Sequence, residues 1–203
     1  MSEIFTLFSK PLYLGEIEPI TKKELNFIKK MEYERVFADN GDYTKNKYVL
    51  NLPKLKRLKA EVENHIKIYT KDILHISDRQ EFHITNSWIM RHSEGDWAQP
   101  HIHTNSLLSG ILYLQVFEES GAIRFHNDFG IFPTSLDIEY DRFNVLNSKT
   151  WGVMPKDNMI LIFPSSIHHS VAPNDTQETR YSLAFNCFVR GKFGTNEYEL
   201  VLP

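Results

Sequence analysis

Two hydrophobic periods divide this chain. Between residues 21 and 73 the apolar positions recur every three or four residues, and from about residue 82 they recur every second one. Thr21-Lys22-Lys23-Glu24 has the form of a capping box, in which the Thr and Glu side chains satisfy each other's unbonded backbone donors. The spacing predicts a helix there, with Leu25, Ile28, Tyr33 and Val36 toward the core. A second helix is predicted from Pro53, a residue suited to the first turn because its missing N–H would have no partner there. Its apolar residues Leu55, Leu58, Val62, Ile66, Tyr69 and Ile73 form one buried stripe. Ahead of the helices, Ile4–Leu7 and Leu12–Ile17 read as extended, and the polar stretch 38–47 reads as a loop.

In the second half β-branched and aromatic residues take over. The predicted strands are His83–Arg91, Ala98–His103, Leu107–Phe117, Ala122–His126, Met159–Phe163, Ile167–Val171 and Tyr181–Arg190. Turns are placed at Gly95-Asp96, Glu119–Gly121 and Pro173–Asp175. Many short strands after a helical start predict a mainly β fold of two sheets with flanking helices. The organisation expected is a single domain over 1–203. Residues 1–80 supply a strand and supporting helices, and 81–203 the core. The irregular stretch 127–157, with Phe129, Phe132, Tyr140, Phe143 and Trp151, has the length and aromatic content of a lid over a substrate.

Composition narrows the classes of function. At 203 residues, with 41% apolar and 13% aromatic residues, the chain can bury a substantial core. Its 23 basic and 26 acidic residues leave a net charge of −3 without a charge block, which points away from nucleic acid and membrane surfaces. No segment approaches the ~20 apolar residues of a membrane span. The single cysteine, Cys187, has no partner for an internal disulfide, and the N-terminus lacks the pattern of a leader. A cytoplasmic location is the expectation. A dimer through the N-terminal helices is open, with no residue arguing for it.

The chemistry concentrates in the strand-rich half. His101 and His103, two apart on a predicted strand, put both imidazoles on one face. A distant histidine, from Ile167-His168-His169-Ser170, could complete a facial triad that leaves metal positions open. Arg180 follows His169 by eleven residues and shares its strand face with Ser182, while Leu183 and Phe185 face the other way. An arginine aimed into a hydrophobic interior needs an anion. A planar fork beside a hydroxyl suits a carboxylate, with a protein acid such as Asp175 or Glu178 as the bland alternative.

These pieces together resemble a family. Trp88, the Gly95 turn, His101-x-His103, Leu108-Ser109-Gly110-Ile111-Leu112-Tyr113-Leu114, Gly121-Ala122-Ile123-Arg124-Phe125, Phe163-Pro164-Ser165, His169-Ser170-Val171 and Arg180-x-Ser182 stand in the order and spacing of the Fe(II)- and 2-oxoglutarate-dependent oxygenases. The small group of them found in marine bacteria and their phages is the most similar. The resemblance covers roughly residues 84–188. It implies a double-stranded β-helix (jelly-roll, cupin-like) core, and His101 and His169 as iron ligands. It also implies that Arg180, with Ser182, binds the C5 carboxylate of 2-oxoglutarate, with Tyr113 as a further hydroxyl. The implied reaction consumes dioxygen, decarboxylates 2-oxoglutarate to succinate and hydroxylates a small-molecule or peptide substrate, such as a peptidyl or free amino acid.

One departure matters. The wider superfamily usually carries Asp or Glu where this chain has His103. Three neutral imidazoles leave the metal's full charge in place and also suit zinc. His103 could instead stand aside, or Asp128 could reach in; His101, His103 and His169 are the favoured set. Two other readings stay open: a cupin-like metal hydrolase or isomerase in which Arg180 holds an anionic substrate, and a non-catalytic jelly-roll binding module.

Overall fold

In a computed structural model, which describes residues 3–35, 41–127 and 138–203, the capping box closes as the sequence requires. β1 (Tyr13–Glu16) leads to α1 (Lys22–Lys29), where the Glu24 N–H donates to Thr21 Oγ1 at 3.2 Å and the Thr21 N–H donates to Glu24 Oε2 at 2.9 Å. Arg57 clamps the same carboxylate from the second helix, its Nε and Nη2 donating at 2.9 and 2.8 Å. Burial pushes the Glu24 carboxyl up, but the bonds from Arg57 and Thr21 outweigh it and hold the pKa below the usual value. A depressed carboxylate pKa contributes stability above its unfolded value and loses it as pH falls through the folded one. Glu24→Gln should therefore lower stability by about 1–2 kcal/mol at neutral pH. The gap from the parent should begin to narrow as pH falls below about 4.3, the unfolded value, and close only once the folded carboxyl is protonated as well. Urea melts of the two proteins at pH 7 and pH 3.5 check both statements.

After β2 (Tyr33–Glu34) and β3 (Asp42–Thr44), two 3-10 turns, Val49–Asn51 and Pro53–Leu55, lead into α2 (Lys56–Lys67) and a π-helical turn, Ile68–Ile73. The stripe Leu55, Leu58, Val62, Ile66 and Tyr69 is buried as predicted. Ile73 is not, at 49% exposed. The wider π turn advances fewer degrees per residue and carries Ile73 off the stripe. Two other expectations fail on whether a partner strand is available. Ile4–Leu7 are exposed and extend no sheet, because β9 offers β1 only the four positions Met159–Ile162. Conversely, Asp42–Thr44, read as loop, becomes β3 because the β4 edge pairs with it. Val36 lies outside the described residues.

The remaining strands are β4 (Gln80–His92), β5 (Ala98–His101), β6 (Leu108–Gln115), β7 (Ile123–His126), β8 (Thr150–Val153), β9 (Met159–Pro164), β10 (His169–Val171), β11 (Arg180–Phe193) and β12 (Leu200–Leu202). The larger antiparallel sheet runs β1-β9-β6-β11-β4-β3-β2, with β12 on the end of β11; the smaller runs β5-β10-β7-β8. This is a double-stranded β-helix. Alternation on β11 sorts its two faces. Leu183, Phe185 and Cys187 join the core beneath the helices with Leu58, Val62, Ile66 and Ile89. Arg180, Ser182, Ala184 and Asn186 take the opposite face. On that side Tyr113 of β6 and Leu161 and Phe163 of β9 pack with Ile123, Phe125 and Ile167. Gly110 of β6 lies so close under Phe185 that a Cβ would come within 2.2 Å of its ring, so only glycine fits.

The span 127–157 contains more order than its sequence suggests. Thr150–Val153 form β8, paired antiparallel with β7, which places the half-exposed Trp151 on a strand. The Tyr140 and Phe143 rings meet at a tilt, their centroids 5.9 Å apart. Phe129, Phe132 and Asp128 lie outside the described residues.

Candidate metal and cosubstrate site

Neighbouring strands of the smaller sheet bring two of the histidines together. β5 and β10 pair with His101 directly opposite His169, and their rings are 4.3 Å apart. His103 arrives differently from the sequence expectation. β5 ends at His101, so His103 stands in the following loop, held by its N–H donating to the Ser165 carbonyl at 3.1 Å. Its Nε2 lies 3.2 Å from His169 Nε2, and the three imidazoles offer ligand atoms all within 4.8 Å of one another. The three histidines converge through strand pairing and a loop bond rather than by sharing one strand face.

Backbone contacts decide which nitrogens face inward. His101 Nδ1 lies 2.7 Å from the Gln99 carbonyl, and His169 Nδ1 lies 2.9 Å from that of Ile167. A carbonyl only accepts, so both rings carry their proton on Nδ1 and turn the Nε2 lone pair toward the cluster. Trp88 stacks on His103 at 5.9 Å, and Phe163 meets His169 edge-on at 4.8 Å. Burial, reinforced by the neighbouring His101, pushes His103 down to about 4 and His169 down to about 3, while Asn186 opposes the shift at His103. Both rings are neutral at physiological pH, the state that binds a cation. Lone pairs converging this closely repel unless a cation sits between them, so this donor set fits a divalent metal.

The second part of the site lies on the opposite face. Arg180 is 1% exposed, and among the described residues no carboxylate pairs with it, neither Asp175 nor Glu178. Its Nη1 donates to the carbonyls of Ser120 and Gly121, the latter at 2.8 Å, while its Nε has no partner. Gly121 adopts φ +88°, and a Cβ there would strike the Ala172 carbonyl at 2.3 Å, so the turn that receives Arg180 requires glycine. Ser182 sits two residues on, opposite Tyr113 of β6. Tyr113 is also 1% exposed, and its hydroxyl has no partner. Burial pushes this phenol up to about 12, so it is a donor. A cation and a hydroxyl, both buried and both unsatisfied, form a cradle for a carboxylate.

The other candidates sort away from this centre. His126 Nε2 meets Ser170 Oγ at 2.8 Å, a cross-strand bond, and His168 is half-buried just ahead of β10 and outside the histidine cluster. Cys187 is fully buried in the helix-side core, and burial pushes its thiol up to about 12, which makes it inert. Sequence reasoning missed the polar chain behind His103. Ser109 Oγ donates to Asn186 Oδ1 at 2.8 Å and lies 2.8 Å from Ser165 Oγ, whose backbone carbonyl holds His103. The inward alternation of Ser109 and Asn186 was the available signal. Beside His103 opens a cleft of about 550 Å³ walled by Tyr48, Thr85, Asn86, Thr104, Asn105 and Asn186, without a charged side chain. Among the described residues no helix is long and apolar enough to cross a membrane.

Comparison with known proteins agrees with this geometry. Residues 86–186 match the family described as "Putative 2OG-Fe(II) oxygenase". No curated protein matches the chain in sequence. Among solved structures, HygX from Streptomyces hygroscopicus, with nickel, 2-oxoglutarate and hygromycin B bound, superposes with a TM-score of 0.60 at 10% identity, covering 88% of this chain and 82% of its own. A Pseudomonas putida prolyl-4-hydroxylase gives 0.57 at 12% identity, covering 89% and 94%. A prolyl hydroxylase in complex with a hypoxia inducible factor peptide fragment, from Trichoplax adhaerens, gives 0.58 at 12% identity, covering 82% and 75%. These three show the shared fold. Through residues 86–186 this chain belongs to the 2OG-Fe(II) oxygenases, enzymes that use iron(II), 2-oxoglutarate and dioxygen.

Proposed function

We propose that the chain is a hydroxylase in which His101, His103 and His169 hold Fe(II), and Arg180, Ser182 and Tyr113 hold the C5 carboxylate of 2-oxoglutarate. The observation that carries this reading is the pairing of two half-sites: three imidazoles meeting at the smaller sheet and the loop after β5, and on the larger sheet a buried arginine that no carboxylate pairs with among the described residues. When bound, the iron supplies the redox chemistry that couples oxidative decarboxylation of 2-oxoglutarate to oxidation of a substrate C–H bond.

The protein's residues perform the rest. Hydrogen bonds donated by Nδ1–H to the Gln99 and Ile167 carbonyls fix the His101 and His169 tautomers so that their lone pairs need no rearrangement to receive the metal. Arg180 is held by the Ser120 and Gly121 carbonyls, so its fork is already oriented before the cosubstrate arrives. Trp88, Phe125 and Phe163 pack around His103 and His169 and keep water from the inner side of the centre. The uncharged cleft beside His103 is the substrate approach. Its hydroxyls and carboxamides suit the neutral hydrogen-bonding groups of a peptide or a small polar molecule, the kinds of ligand found with the structural neighbours. The stretch around 138–149 borders the smaller sheet through β8 and would cover that substrate. The organisation we infer is one catalytic domain whose N-terminal strands and helices brace the larger sheet.

The all-imidazole donor set also suits zinc, which leaves a hydrolase reading to be tested beside the first. Protein incubated in air with Fe(II) and 2-oxoglutarate should release succinate slowly even without substrate, and zinc-loaded protein should release none. Absence of succinate from the iron form under conditions where 2-oxoglutarate is bound would overturn the oxygenase reading.

A further inference from the structure

A buried histidine that no step above uses lies beside Arg180. His92 ends β4, pairs in register with Arg180 of β11, and is 1% exposed. Strand alternation puts it on the same face as Trp88, which stacks on His103. Neither of its ring nitrogens has a hydrogen-bond partner. The ring is fixed in place: its Cδ2 would lie 3.0 Å from a Cβ on Gly41, whose φ of +71° and close approach leave no room for a side chain. Beyond it, Arg35 is committed to Asp42 and Asp96 by bonds of 2.8–2.9 Å, so none of those charges is free to satisfy the imidazole. Burial and the charge of Arg180 push the ring well below its ordinary pKa.

Two orphaned nitrogens in one fully buried ring are an expensive arrangement to leave empty. Arg180 Nε and the Tyr113 hydroxyl are orphaned in the same way. The three side chains come from adjacent strands in the order β6, β11, β4, with Tyr113 opposite Ser182 and His92 opposite Arg180. Each of the three side chains has a donor to offer, Arg180 Nε–H, the Tyr113 hydroxyl and one N–H of the neutral His92 ring, and three donors from three neighbouring strands match the several lone-pair sites of one carboxylate.

We propose that His92 is a cosubstrate-binding residue that donates a hydrogen bond to the distal carboxylate of 2-oxoglutarate beside Arg180. This rests on the reading of Arg180 as the carboxylate clamp. It adds a third strand, β4, to a clamp already built from β11 and β6, so the distal carboxylate is gripped from both sides of β11. A 2-oxo acid lacking that carboxylate gains nothing from either residue.

The test is anaerobic calorimetric titration of Fe(II)-loaded protein with 2-oxoglutarate and, in parallel, with pyruvate, which has no distal carboxylate. His92→Phe keeps the ring shape and removes the nitrogens. It should weaken 2-oxoglutarate binding by roughly 10- to 100-fold, the loss expected for one hydrogen bond to a charged group. Pyruvate binding should be unchanged, and the melting temperature of the metal-free protein should be unchanged or raised, because two unsatisfied atoms are gone. His92→Gln, which keeps an N–H, should recover most of the affinity. Binding of 2-oxoglutarate within twofold of the parent, or an equal loss for pyruvate, overturns the proposal. Arg180→Met run beside it separates the two ideas. If that variant binds 2-oxoglutarate normally the clamp itself is wrong; if it fails while His92→Phe binds normally, only the role of His92 is wrong. Should His92→Phe not fold, 15N-histidine spectra of the unmutated zinc-loaded protein replace it. A buried imidazole outside the metal set must shift with 2-oxoglutarate and stay still with pyruvate, and a silent spectrum overturns the proposal.

Discussion

Arg180→Met should reduce the affinity for 2-oxoglutarate by 100-fold or more and leave metal binding intact. The side chain is buried, and among the described residues its guanidinium bonds the Ser120 and Gly121 carbonyls and forms no salt bridge with a carboxylate. Removing one partner of a buried charge pair typically costs about 3–5 kcal/mol, which corresponds to at least two orders of magnitude in binding. Methionine nearly fills the space and removes the cation, so the loss reads the charge rather than a cavity. Arg180→Lys keeps the charge as a point and gives up the fork, and should lose about tenfold. Both are read by anaerobic titration of 2-oxoglutarate into Fe(II)-loaded protein. The histidines stand on the other sheet, so metal content should match the parent in each variant. Unchanged 2-oxoglutarate affinity in Arg180→Met would remove the carboxylate clamp from the account.

His169→Ala should abolish metal-dependent binding of 2-oxoglutarate altogether. His169 is the centre of the cluster: it pairs with His101 across the strands, approaches His103 to 3.2 Å, and is packed by Phe163 and Phe125. Loss of an outer partner of a metal ligand already costs 10- to 100-fold in affinity, so loss of this ring should cost on the order of 100-fold or more. Zinc and iron titrations against a chromophoric competitor measure it, with circular dichroism to confirm the sheet. His103→Ala in the same assay addresses the position where the wider superfamily has a carboxylate. A clear drop, with recovery in His103→Asp, is expected of a ligand. Metal affinity equal to the parent in His103→Ala would leave a two-histidine site completed by water.

The legible part of the fold was the part written in local periodicity. Thr21 and Glu24 announced their capping box because both partners lie within one turn. Leu55 to Tyr69 announced their stripe because a helix maps sequence spacing directly onto a face. β11 was readable for the same reason: strict alternation placed Arg180 and Ser182 on one side and Leu183 and Phe185 on the other. β3 and β8 were not readable, since each is made a strand by an available neighbour, β4 and β7, and not by its own pattern. Ile73 failed because a π turn changed the period within a helix that otherwise kept it.

At the site, residue types and spacing nominated the His101 and His103 pair, a distant histidine and Arg180 beside Ser182, and the family resemblance singled out His169 and Tyr113. Convergence was a tertiary matter. The cross-strand pairing of His101 with His169, the loop bond from His103 to Ser165 and the register of His92 with Arg180 each join residues far apart in the chain. Strand register is set by which hydrophobic faces find burial together, a property of two sheets at once and of no single segment. The sequence by itself determined which groups were available and which faces they took along each strand. Only strand pairing and the loop bond to Ser165 decided that three imidazole lone pairs would meet, and only the packing of the sheets buried Arg180, Tyr113 and His92 with unpartnered polar atoms.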